Sequence, residues 1–144
     1  MKVVVTLILA LSMFGMQSAF ARDDLVHVNI KQVLNSADGV KVLNPDVKLF
    51  FGEQTHATPA KTFGEVVTNK KTNAFAKSDE EACAWVFLSA IKALQQRAVK
   101  EGHNAVVGIT SYYKKRSYSS EEKFECGAGT VIAGVALKGM IVSL

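Results

Sequence analysis

Two cysteines, three histidines and a run of tyrosines among cations are the residues here whose chemistry goes beyond packing. Cys83 and Cys126 are the only cysteines in the 144 residues. In an exported chain such a pair points to one disulfide. The competing readings are two buried thiols, or a pair held for metal or redox chemistry. His27, His56 and His103 could in principle add metal ligands, but none of the five lies in a C-x-x-C or H-x-x-x-H spacing. Their ordinary reading is structural or exposed. Cys83 beside His56 or His103 would form a nucleophile–base pair, yet a cysteine on the core face of a helix is usually tied up. His103, just past a helix end, reads as a solvated loop residue. No catalytic residue is assigned, no cofactor is implied, and the chain is not expected to be an enzyme.

The segment Tyr112, Tyr113, Lys114, Lys115, Arg116 and Tyr118 interleaves rings with cations. That composition suits an envelope polyanion, whose charges meet the cations while sugars or bases stack on the rings. The reading it favours is the tip of a hairpin whose charges face water. Lys70 and Lys71 would extend the patch only if the fold brought them alongside. A phosphate-binding loop is not indicated. The nearest run, Gly134 to Gly139, lacks the lysine and hydroxyl that would follow.

The elements that must position these residues centre on Ser78 to Ser111. Ser78 is a natural N-cap, Glu81 three residues on would complete a capping box, and Asp79, Glu80 and Glu81 suit the positive end of a helix dipole. Lys100 and Gly102 mark the other end. Between them Cys83, Phe87, Ala90, Ile91, Leu94 and Ala98 fall on one face. A helix over 79–101 and a strand over 105–111 follow. Trp85 points away from that face, which calls for a covering layer, either the N-terminal segment or a partner subunit.

Asp23 to Asn44 carries Val26, Ile30, Val33 and Leu34 at helical spacing and reads as a short amphipathic helix, broken at Asn35 to Gly39. Val47 to Gly52 and Phe63 to Thr68 read as strands, and Asn69 to Lys77 as a connection. From Phe124 the even positions through Ile132 form a sheet face against the helix. Gly127 and Gly129 on the opposite parity suggest that another backbone approaches there, or that the strand bends. The C-terminal run is too short and glycine-interrupted for a spanning helix.

Residues 1–21 carry a basic start, an apolar stretch and Ala19-Phe20-Ala21, the pattern of a signal peptide cut after Ala21. A periplasmic or secreted protein follows, with no transmembrane anchor after cleavage. Residues 22–144 then suffice for one domain. The net charge of +4 is too small to demand a nucleic-acid partner, and export would separate the chain from DNA.

Gly102, Asn104, Ala105, Val106, Val107 and Gly108, with Gly129-Thr130-Val131 later, resemble the two motifs of the YbjQ-like domains called heavy-metal-binding. The match covers roughly residues 78–135. The same stretch is similar to the fold of the Rcs envelope-stress lipoprotein, which is disulfide-bonded, although this chain lacks a lipid-attachment cysteine. KTNAFAKSDEEACAWVFLSA, SYYKK and FECGAGTVIAGVALKG resemble small exported proteobacterial proteins often labelled "excinuclease ATPase subunit", a label for which neither a phosphate loop nor a zinc cluster is present. The resemblance implies a homo-oligomer, with Trp85, Gly127 and Gly129 at its interface. The expectation is therefore an α+β domain, a small, mainly antiparallel sheet packed against one long helix. Its expected function is exported binding or assembly, with heavy-metal or polyanion binding as alternatives.

Overall fold

The computed structural model describes residues 22–144, so the signal-peptide reading of residues 1–21 lies outside the described residues. The elements run β1 (Asp24–Asn29), α1 (Ile30–Leu34), α2 (Ala37–Val42), β2 (Lys48–Phe51), β3 (Lys61–Asn73), α3 (Asp79–Lys100), β4 (Ala105–Ser111), β5 (Lys123–Ala128) and β6 (Ile132–Ser143), with one turn of 3₁₀ helix at Tyr113–Lys115 between β4 and β5. The result is an α+β fold, a six-stranded sheet and one helix of 22 residues.

Helix α3 begins and ends where its chemistry says it should. The Ser78 hydroxyl accepts from the Glu81 amide at 3.1 Å. The return bond of a full capping box, from the Glu81 side chain, is not made. At the far end Gly102 takes φ +77°, His103 N–H donates to the Ala98 carbonyl and Gly102 N–H to that of Val99. This is a Schellman closure, and it satisfies carbonyls that the helix itself leaves open.

Strand β6 is the spine of the sheet. Along one side it pairs with β3 over its whole length. The other side is shared, β4 taking the C-terminal part and β5 the first residues. β2 extends β4 in parallel and β1 extends β5 antiparallel. A register shift between Val107 and Thr110 sits at Gly108, whose φ of +61° lets the extra residue bulge without a Cβ penalty.

Cys83, Phe87, Ile91 and Leu94 of α3 are almost wholly buried against Val106, Phe124, Val135 and Ile141 of the sheet. Phe87 and Phe124 stack with centroids 3.8 Å apart and planes 6° from parallel. Beside them Cys83 and Cys126 form a disulfide with Cα atoms 5.9 Å apart, tying α3 to β5. Both sulphurs lie in the core.

Five expectations give way. The N-terminal segment is not one helix: Val26 and Val28 alternate as β1 pairs with β5, and only from Ile30 does the chain coil, capped by Asn29. The break expected at Asn35 to Gly39 is only two residues wide, because Ser36 caps α2 through the Gly39 amide. β3 runs on to Asn73, through most of the expected connection, because β6 continues beside it. The basic segment is no hairpin tip either. β4 and β5 do not pair: Ser111 at the end of β4 bridges to Tyr118, which precedes β5, and each strand spends its ladder on others. The even-position face also ends early. A turn closed by Gly129 N–H to the Ile132 carbonyl resets the phase, so Thr130 and Ile132 are exposed while Ala133, Val135 and Leu137 face the helix.

Candidate functional site

Trp85 stands on the solvent side of α3, 50% exposed. Of the two covers expected for it, the intramolecular one is incomplete: α1 and α2 approach without sealing the ring. They leave a cleft of about 570 Å³ toward Ser36, Asp38 and Lys77, and one of about 150 Å³ toward Val42, Ser89 and Lys92. Leu88 lies at the floor of both clefts and is nearly buried. An indole with one edge on apolar carbon and the rest in water is suited to contact with another molecule.

The basic and aromatic segment is organised around an acid that the sequence did not single out. Asp23 accepts from the Tyr113 hydroxyl at 2.9 Å and is ion-paired with the Lys114 ammonium. The bond from Lys114, followed by that from Tyr113, holds the Asp23 carboxyl below the ordinary carboxylate range. Burial, with the Asp23 bond second, pushes the Tyr113 phenol up. Lys114 and Lys115 both adopt positive φ, 52° and 61°, uncommon for residues with a side chain, and this turn brings the segment back over the sheet.

There the Tyr113 ring lies on Gly127. A Cβ at that position would stand 2.1 Å from the phenol oxygen. What approaches Gly127 is thus a side chain of the same chain, not a second backbone. At Gly129 the expectation of close backbone holds, with the Ile132 carbonyl oxygen 2.7 Å from where a Cβ would be.

Tyr112 packs beneath the Lys138 ammonium, 4.7 Å from its ring centroid, and Tyr118 leans on His27 at 4.9 Å. All three tyrosines therefore touch neighbours within the chain. Lys115 and Arg116 remain exposed. Lys71 comes alongside after all, since Lys71 and the Tyr113 ring flank Gly134 from two sides.

Arg22 forms a second anchor for the same end of the chain. Its guanidinium binds both Asp79 carboxylate oxygens, at 2.5 and 3.2 Å, and the Gly129 carbonyl at 3.1 Å. The Asp79 bond raises the Arg22 pKa. Thus the first two residues after the expected cleavage point each hold a different part of the domain.

The histidines do not assemble. His27 pairs with Glu125 at 3.2 Å on the face away from α3. His56 bonds the Ala57 carbonyl in the loop after β2. His103 is half-buried, not the free loop residue expected, with Nδ1 2.8 Å from the Ser143 hydroxyl and its ring near Phe63. Among the described residues no three His, Cys, Asp or Glu side chains converge as a metal site would require. Nor is any helix there long and apolar enough to cross a membrane.

Such a fold and surface define a disulfide-bonded α+β domain with one unfinished helix face. No family model, no curated protein and no solved structure matches the chain.

Proposed function

We propose that this chain is an exported binding or assembly module of the cell envelope, periplasmic or secreted, and without a reaction of its own. The motif resemblance to YbjQ-like domains is the source of the homo-oligomer expectation. The observation that carries the reading is Trp85, half in water on a helix whose other face is fully buried. A buried disulfide adds support, because such bonds persist in oxidising compartments and not in the cytosol.

Two other readings have less behind them. Heavy-metal binding loses its thiolates to the disulfide and is left with three separate histidines. Polyanion binding gains Lys71 but spends Lys114 on Asp23.

Native mass spectrometry of protein taken from the periplasm tests the reading. Wild type is expected as an assembly, with the mass deficit of one disulfide and no metal. Trp85→Ala is expected to melt within about 1 kcal/mol of wild type, as exposed substitutions do, while the assembly weakens. Unchanged melting together with unchanged assembly would rule out a role for Trp85, and a metal in the spectrum would favour the heavy-metal reading.

A further inference from the structure

β3 is the longest strand, 13 residues, and among the described residues it pairs with β6 alone. Its other edge presents a row of backbone N–H and C=O groups with no strand beside them, a ready template for another strand. Large exposed apolar side chains gather along it: Phe63 and Val67 on the strand, with Phe75, Val131 and Ile132 at its C-terminal end, each between 43% and 68% exposed.

Lysines on an edge normally discourage strand addition, and β3 carries Lys61, Lys70 and Lys71. It carries a single acid, Glu65. The pairing with β6 puts Glu65 opposite Met140 and Lys71 opposite Gly134, so the two charges share the sheet face that points away from α3. In an antiparallel pair of identical strands, directly opposed residues lie on one face only when their numbers sum to an even value.

Centring the pair on Thr68 sets Glu65 against Lys71 of the second copy, twice by symmetry, and Val67 against Asn69. Centring on Val67 leaves Glu65 facing Asn69, and centring on Lys70 sets that lysine against itself. Centring on Asn69 sets Glu65 against Asn73 and Lys71 against Val67, so of the registers centred from Val67 to Lys70 only that on Thr68 pairs Glu65 with a lysine.

We propose that β3 is the seam of a two-fold homodimer, joined antiparallel through Thr68 so that Glu65 and Lys71 pair across it. This rests on the assembly reading above and adds to the Trp85 face a second contact surface, with its register. The seam is separate from Trp85, which lies on α3.

Sedimentation equilibrium of the oxidised chain without residues 1–21, across a concentration series, tests it. Wild type is expected to dimerise, and E65K and K71E each to raise the dissociation constant at least about tenfold, since each turns two attractive contacts into two repulsive ones. The double variant E65K/K71E restores opposite charges in the same register and is expected to recover wild-type dimerisation. A merely misfolded single variant would not be rescued in this way, and melting curves check each protein. If the single variants dimerise like wild type, or the double variant stays monomeric, the seam is wrong. Loss of the assembly in Trp85→Ala but not in E65K would overturn the seam and keep the assembly reading. A monomeric wild type at every concentration would overturn both.

Discussion

The two faces of the sheet are built differently. Toward α3 the layer is mainly apolar and fixed: stacked Phe87 and Phe124, a disulfide, and side chains with almost no exposure. Away from α3 the cover is thin, a small apolar cluster of Ala105, Val107 and Val142 beside a polar one. Tyr113 is laid over Gly127, Tyr112 under Lys138, and Asp23 ties the segment to the start of β1. One face draws its stability from burial, which carries no charge to titrate or screen; the other adds a few charge-assisted bonds at the surface. Covalent locking of the first face leaves the second free to vary without loss of the fold.

The largest effect should come from cutting the lock. Replacing both cysteines by alanine, or reducing the bond, removes a cross-link between positions 43 residues apart. On the loop-entropy model this costs roughly 4 kcal/mol. Urea melts of oxidised and reduced protein check it. A difference below about 1 kcal/mol would mean that the α3 face stands on packing alone, and the contrast between the faces would shrink.

How much of this was legible in the sequence divides along the same line. Helix α3, its caps and its buried face were readable because apolar spacing at 3.6 residues and a serine–glycine frame are local signals. The disulfide followed from cysteine count and expected export. The other face was not readable, because its contacts join positions far apart. Asp23 meets Tyr113 and Lys114 across about ninety residues, and nothing near Asp23 announces them. Gln95 gives the same lesson inside the core. It reads as one more polar helix residue, yet it is buried and bonds the Asn44 amide and the Asn44 and Val47 carbonyls. Gly127 was noticed, but the sequence could not say that a tyrosine, not a backbone, required its missing side chain.

That tyrosine offers a middle-sized test. Gly127→Ala forces the Tyr113 ring off its seat and away from Asp23, at an expected cost of about 1–2 kcal/mol from repacking and a lost hydrogen bond. In a Tyr113→Ala background the same glycine change should cost nearly nothing, because the obstructing ring is gone. Equal costs in both backgrounds would show that the ring does not set the requirement at Gly127.

The smallest effect is the most specific to the outer face. Asp23 has its pKa lowered from the ordinary 3.8, so its anchor contributes fully above that value and is lost as pH falls through the lower folded one. Tyr113 has its pKa raised from 10.0, so its share is present below that value and is lost as pH climbs through the folded one. The window in which both act therefore runs from about 4 to about 10. Both groups sit at the surface, where such pairs are worth under about 1 kcal/mol, so global melting will barely register the change. Amide protection factors along β1, which allow for the intrinsic slowing of exchange in acid, should register it, falling below the window in wild type. Asp23→Asn has no carboxylate to protonate, so its β1 amides should exchange faster at neutral pH and lack that acid-side step. If β1 in wild type is as well protected near pH 3 as at pH 7, the Asp23 anchor is not what holds it, and pairing with β5 alone suffices.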